Sequence, residues 1–101
     1  MLELRPLCEN CAAELPPDST EAMICSFECT FCARCVEQLQ NVCPNCGGGF
    51  SVRPIRPSRN WKDNNCLAEK PASTRRMRRA VDFAVHVIYA KRIADIPPAH
   101  R

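Results

Sequence analysis

Nine cysteines are the residues of this sequence whose type and spacing point most directly to chemistry. Eight of them fall into four consecutive pairs: Cys8 and Cys11, Cys25 and Cys29, Cys32 and Cys35, and Cys43 and Cys46. Three pairs have the form CxxC, which places two thiolates on one tight turn, within about 2.3 Å of a shared metal ion. Zinc accepts four sulfur ligands and has no redox chemistry, so the pattern predicts two closed, structural Zn²⁺ sites.

Metal is favoured over disulfides as the role of these thiols. The stretch MLELRPLCEN lacks the apolar core of a secretory signal, and no segment has the about 18 apolar residues of a transmembrane span. These features predict a cytoplasmic protein, and cytoplasmic thiols stay reduced. Residues 1–50 also contain few large apolar side chains, and small domains with thin cores are commonly stabilised by metal.

An iron–sulfur cluster is the alternative to zinc. The run Cys29, Cys32, Cys35, followed later by Cys43-Pro44, is similar to the cluster-binding run of bacterial ferredoxins, but that run needs three residues before its Cys-Pro and here there are seven. A cluster on this run would also leave Cys8, Cys11 and Cys25 without a role. Zinc is therefore the favoured metal.

The spacing allows two ways of sharing eight cysteines between two ions. In a sequential scheme, the first two pairs bind one ion and the last two bind the other. In a crossed scheme, the first and third pairs share one ion, and the second and fourth share the other. Both schemes give each ion a CxxC pair, so the spacing alone does not choose between them.

The order and gaps of the pairs resemble the cross-brace of the RING finger family. CTFCARC (29–35) resembles the RING stretch with a histidine or cysteine, a phenylalanine and then CxxC, and CPNC (43–46) matches its terminal CPxC. The resemblance implies the crossed scheme and a small α+β fold with a short helix over residues 33–40 and a minor hairpin. Zinc 1 would be bound by Cys8, Cys11, Cys32 and Cys35, and zinc 2 by Cys25, Cys29, Cys43 and Cys46.

A second resemblance is to a bacterial family of short proteins, domain-of-unknown-function family 1272. The shared words are MLELRP at residues 1–6, CSFECTFC at 25–32, CPNCGG at 43–48 and RPIRP at 53–57. The family implies zinc binding in a bacterial cytoplasm and no established activity.

Two departures from the RING pattern argue against ubiquitin-ligase activity. RING ligases usually carry an aliphatic residue after the first cysteine and often a cation after the last, whereas this chain has Glu9 and Gly47. No other pattern suggests catalysis, because the carboxylates are scattered and GGG (47–49) lacks the lysine and helix of a phosphate loop. We therefore predict no catalytic residues, and ligase-like adaptor activity is the alternative.

Charge divides the chain into three expected segments. Residues 1–50 have two basic and seven acidic residues and form the RING-like domain, whereas residues 51–101 have twelve basic and four acidic ones. Residues 51–72 are predicted to be a proline-rich basic linker, because each proline of RPIRP favours extended geometry before it. Residues 73–101 are predicted to be a basic amphipathic helical tail, with a helix over 73–95 capped by Ser73 or Thr74.

The tail has several possible roles. Its apolar stripe, Met77, Val81, Ala84 and Ile88, favours docking on the zinc domain or on a second copy in a homodimer. A membrane-surface helix and an arginine-rich contact with nucleic acid are the alternatives. The favoured function is a zinc-stabilised adaptor that binds a protein partner.

Four residues outside the pairs are expected to have ordinary roles. Cys66, His86 and His100 have no partner at ligand spacing. Trp61 is expected to pack on the domain surface, because stacking sites for nucleobases usually use several rings.

Overall fold

Three short strands and two short α-helices make up the regular structure of the chain. The computed structural model describes residues 1–101. Its elements are β1 (Ala22–Ile24), β2 (Thr30–Cys32), α1 (Ala33–Gln38), β3 (Ser51–Val52), α2 (Phe83–Ile93) and a 3₁₀ turn (Pro98–His100). The predicted small α+β class is confirmed. None of the helices combines the length and apolar composition needed to cross a bilayer.

The sheet is built around the predicted hairpin. Strands β1 and β2 pair antiparallel with Met23 opposite Phe31, and β3 joins the other edge of β1 with Val52 opposite Met23. The hairpin turn lies between the cysteines of the second pair: the Cys25 N–H donates to Cys29 O at 3.2 Å, and Glu28 takes a φ of 67°. The turn of the second cysteine pair therefore separates the end of β1 from the start of β2.

Helix α1 occupies most of the segment predicted to be helical, residues 33–40. It follows β2 directly, and Cys35 and Val36 on its inner face are buried. Gln40 and Asn41 adopt left-handed φ values of 58° and 56°, which end the helix and turn the chain back towards the fourth cysteine pair.

Cysteines make up half of the residues in the buried core. Five of the ten residues of the central buried cluster are cysteines, and they pack with Leu15, Ala22, Phe31, Val36 and Leu39. Phe31 meets Phe50 edge to face, with ring centroids 5.5 Å apart. The core is therefore thin in hydrocarbon, as the composition of residues 1–50 predicts.

Two arginines of the RPIRP stretch fasten the proline-rich segment to the N-terminal half. Arg53 is 1% exposed, and its guanidinium donates to the carbonyl oxygens of Arg5 and Pro16 at 2.8 and 2.9 Å. Arg56 donates to Leu2 O at 2.8 Å and Lys70 O at 2.6 Å. Their charges thus serve internal contacts rather than an external anion.

The predicted helix start is wrong. Residues 73–82 are extended, and α2 begins at Phe83 with Asp82 as its N-cap, whose carboxylate accepts from Ala84 N at 3.1 Å and Val85 N at 3.3 Å. Four arginines near a start at Ser73 would oppose the positive end of the helix dipole, whereas Asp82 complements it. The extended backbone instead bonds to the N-terminal half, with Ser73 N donating to Leu4 O and Arg79 N to Glu9 O.

The residues through which helix α2 docks on the cysteine-rich half are not those of the predicted apolar stripe. His86 and Ala90 are buried, and His86 Nε2 lies 2.9 Å from Leu39 O. Tyr89 lies against Gly47, where a Cβ would stand 2.7 Å from Tyr89 Oη. Ile88, from the predicted stripe, is 68% exposed. The tail thus docks on the cysteine-rich half, but the buried face of α2 is not the predicted one, and the apolar Ile88 stays in solvent.

The N-cap of α2 provides a test of this geometry. We expect Asp82→Ala to lower the free energy of unfolding by about 1 kcal/mol, because two helix N–H groups lose their acceptor. Chemical denaturation of the metal-loaded protein measures the loss. Asp95→Ala, beyond the other end of α2, is the matched control and should change stability little. Equal losses for the two variants would contradict the assigned helix start.

Candidate metal centre

Four cysteines from distant parts of the chain form the first cluster. The sulfur atoms of Cys8, Cys11, Cys32 and Cys35 all lie within 4.8 Å of one another. Four sulfurs bound to one zinc ion at about 2.3 Å stand about 3.8 Å apart, and the Cys11 and Cys32 sulfurs are separated by 3.8 Å. The donor set and the spacing fit a tetrahedral, sulfur-binding metal ion.

Local backbone geometry explains how each pair of this first cluster forms. Ala12 N donates to Cys8 O at 3.0 Å and Cys8 N to Ala13 O at 2.9 Å, and Ala12 takes a φ of 62°. This tight turn points both sulfurs of the first pair to one side. Cys32 ends β2 and Cys35 lies in the first turn of α1, so the strand-to-helix junction supplies the third pair.

The second cluster contains Cys25, Cys43 and Cys46, whose sulfurs also lie within 4.8 Å of one another. Cys29, the fourth predicted ligand, is outside that limit. It remains next to the cluster, because it closes the hairpin turn with Cys25 and its sulfur accepts from Asn45 Nδ2 at 3.3 Å. The structure therefore gathers three of the four predicted sulfurs of this site, with the fourth beside them.

The turn of the fourth pair has the same backbone pattern as the first. Gly47 N donates to Cys43 O at 2.8 Å and Cys43 N to Gly48 O at 2.8 Å. Gly47 has a φ of 77°, a conformation that favours glycine. Gly48 N donates to Cys46 Sγ at 3.4 Å, an N–H···S contact within the turn.

Burial governs the acidity of the thiols. It raises the pKa of Cys35 to about 12 and also raises the pKa values of Cys8, Cys29 and Cys43. Burial also acts to raise the pKa of Cys11, but hydrogen bonds from the backbone of Ala13 and from neighbouring thiols outweigh it and lower that pKa. A metal ion that binds these sulfurs must therefore displace protons from most of them.

Four-sulfur coordination leaves no open position on a metal ion, so such sites stabilise structure and do not bind substrate. The remaining candidates lie outside both clusters. Cys66 is buried alone, His86 contacts a backbone carbonyl, and His100 is in the C-terminal turn.

Sequence reasoning missed three residues around the clusters. Glu9 is 5% exposed, and its carboxylate accepts from Arg5 Nη1 at 2.9 Å and from Thr30 N, which joins the first cysteine turn to β2. Asn10 Nδ2 donates to Cys35 Sγ at 3.3 Å, as Asn45 does to Cys29. The signal for the asparagines was present: CENC and CPNC both carry Asn in the third position.

The clusters make a prediction about ligand sharing. Cys8→Ser and Cys32→Ser should damage the same site, because their sulfurs belong to the first cluster. In cadmium-113 spectra of the substituted protein, both variants should alter one and the same resonance. Loss of different resonances would support the sequential scheme.

The thiol pKa values predict proton release on metal uptake. Thiols with raised pKa values are neutral at pH 7, and each site has two of them, Cys8 and Cys35 in the first and Cys29 and Cys43 in the second. Each Zn²⁺ should therefore release at least these two protons, and affinity should fall as the pH falls because protons compete for sulfur. A pH indicator in weakly buffered solution measures the release during zinc titration. Uptake without proton release would contradict thiolate coordination.

Comparison with known proteins identifies relatives of this chain. The family model described as "Protein of unknown function (DUF1272)" matches residues 1–56, which include all eight paired cysteines. An uncharacterised protein of Rhizobium meliloti (strain 1021) is 55% identical over 78 residues, which are 76% of this chain and 86% of that protein. No solved structure matches the chain. The chain therefore belongs to the DUF1272 family.

Proposed function

We propose that this protein is a RING-like interaction module of the cytoplasm, stabilised by two structural Zn²⁺ ions, and that it acts as an adaptor and not as an enzyme. The first cluster carries the proposal: its four sulfurs come from residues 8–35, lie within 4.8 Å of one another and use every tetrahedral position. Zinc 1 binds Cys8, Cys11, Cys32 and Cys35, and zinc 2 binds Cys25, Cys29, Cys43 and Cys46. The reduced cytoplasm keeps such thiols available for metal.

The outer face of α2 supports a role in protein binding. Val85 and Ile88 are 63% and 68% exposed, although the opposite face of the same helix is buried on the cysteine-rich half. Val85 also borders a groove of about 410 Å³ that Phe31, Pro44 and Tyr89 help to line. Exposed apolar surface next to a groove is typical of a surface that a partner covers. A protein partner, or a second copy of this chain, is the proposed occupant.

The surroundings of Glu9 favour an adaptor over a ligase-like function. Its carboxylate is paired with Arg5, and its backbone oxygen accepts from Arg79 of the tail at 2.6 Å. The position after the first cysteine therefore offers neither an aliphatic side chain nor a free surface to a conjugating enzyme.

Nucleic-acid binding by the basic segments has less support. Arg53 and Arg56 donate to backbone carbonyls, and Arg75 pairs with Glu3 at 2.6 Å. That contact holds the pKa of Glu3 down to about 2. These arginines are used in holding the chain together.

The metal content tests the proposal directly. Native mass spectrometry should show two Zn²⁺ ions per chain, and chelation should unfold residues 1–50, because structural zinc supplies folding free energy. Far-ultraviolet circular dichroism follows the unfolding. One ion per chain, or an unchanged spectrum after metal removal, would count against the two-zinc module.

The adaptor role has its own test. Ile88→Asp should leave metal content and stability nearly unchanged, because the side chain is exposed, and should abolish self-association or the capture of a co-purifying protein. Lys91→Glu, a charge change on the same helix, is the control. Light scattering and affinity purification that do not distinguish Ile88→Asp from the wild type would exclude this face as the interface.

A further inference from the structure

Two asparagines occupy the same place in the two cysteine turns. Asn10 is the third residue of CENC and Asn45 the third residue of CPNC. Asn10 Nδ2 lies 3.3 Å from Cys35 Sγ, and Asn45 Nδ2 lies 3.3 Å from Cys29 Sγ. Each amide therefore reaches away from its own cysteine pair to a sulfur of the pair assigned to the same metal ion.

This contact differs from the backbone N–H···S bonds within each turn. The backbone donor Gly48 N, for example, bonds to a sulfur of its own turn. The asparagine amides instead link positions 25 and 16 residues apart in sequence. A donor to a thiolate stabilises its charge and fixes the direction in which the sulfur offers its lone pair. The two amides thus join the halves of each site.

The tail distinguishes the two asparagines. Asn10 Oδ1 accepts from Val81 N at 2.9 Å, and Asn10 O accepts from Arg78 Nε at 3.1 Å. With its oxygen held by Val81, the Asn10 amide presents its nitrogen to Cys35. Asn45 is exposed, and its amide bonds to Cys29 alone. The Asn10 amide is therefore hydrogen-bonded through both its oxygen and its nitrogen, whereas the Asn45 amide is hydrogen-bonded through its nitrogen alone.

The two clusters also differ in how many of their sulfurs are gathered, and the difference parallels that between the asparagines. All four sulfurs of the first cluster lie within 4.8 Å of one another, whereas only three of the second do, and the one outside is Cys29, the sulfur that Asn45 contacts. The first site, whose Asn10 amide makes two hydrogen bonds, is thus the site with all four sulfurs gathered.

We propose that Asn10 and Asn45 are positioning residues that direct the Cys35 and Cys29 sulfurs onto the two metal ions, and that the tail, by fixing the Asn10 amide, makes the first ion exchange more slowly than the second. The inference rests on the proposed function, since it requires two metal ions bound by the paired cysteines. It assigns the tail a second role besides interaction, namely retention of metal at one site.

Cadmium-113 substitution of the full chain tests the positioning role. Asn10→Ala should shift the resonance of the first site and leave the second in place, and Asn45→Ala should do the reverse. The two variants are matched controls for each other, because they remove the same group from equivalent turns. Outer donors of this kind typically contribute 10–100-fold to metal affinity, so each variant should lose its own ion to a chelator about 10–100-fold more readily.

Asn10→Asp separates donation from packing. Aspartate has nearly the size of asparagine, but its carboxylate cannot donate and repels a thiolate. We expect the first site of Asn10→Asp to lose metal at least as readily as that of Asn10→Ala. Wild-type retention in Asn10→Asp would show that the amide only fills space, and would overturn the proposal.

Removal of one N–H tests the contribution of the tail. Val81→Pro deletes the donor to Asn10 Oδ1, so loss of metal from the first site should accelerate while the second site keeps its wild-type rate. Ala80→Pro, next to it in the same extended segment, removes an N–H that makes no hydrogen bond and is the control. Equal rates for the two proline variants would overturn the role of the tail.

The outcomes separate this inference from the proposed function. Two ions per wild-type chain, with asparagine variants that shift no resonance or shift both alike, would overturn the inference alone. A wild-type chain that binds no metal would overturn the proposed function, and the inference with it.

Discussion

The gathering of cysteine sulfurs in a core with little hydrocarbon is the interaction on which the rest of the structure depends. Five of the ten central buried residues are cysteines, and the strands and helix between them have only three to six residues. Elements this short bury too little apolar surface to offset the entropy of ordering the chain. Bound metal would supply the missing free energy, because five of the eight proposed ligands already lie at the centre of the packing.

Hydrogen bonds and an ion pair made by arginine side chains join the C-terminal half to the rest of the domain. Arg53 and Arg56 donate to carbonyls of the first seventeen residues, Arg75 pairs with Glu3, and Arg101 donates to Asn41 O at 2.8 Å. The arginines of the basic half thus pair with acidic charge and donate to backbone carbonyls of the cysteine-rich half. Helix α2 is anchored by His86 and Ala90, whereas Val85 and Ile88 remain in solvent.

Local features of the fold were predictable because short-range chemistry controls them. Helix α1 lies within the segment that the resemblance to RING fingers implies, and a short hairpin is present as that resemblance also implies. The start of α2 was not predictable from capping residues alone: Ser73, Thr74 and Asp82 are all good N-caps. The choice of Asp82 depends on Arg79 and Val81 donating their N–H groups to the first cysteine turn, a contact between residues about seventy positions apart.

By itself, the sequence determined the cysteine pairs and the kind of metal ion that such pairs favour, because two thiolates on one turn are a matter of local spacing. The tertiary structure decided that the first and third pairs share one cluster, because sequential and crossed arrangements satisfy the same local turns. It alone showed that Asn10 and Asn45 reach the sulfurs of the opposite pair, and that His86, not Ile88, faces the core. These are contacts between distant segments, and they depend on how the turns, the strand-to-helix junction and the tail pack together.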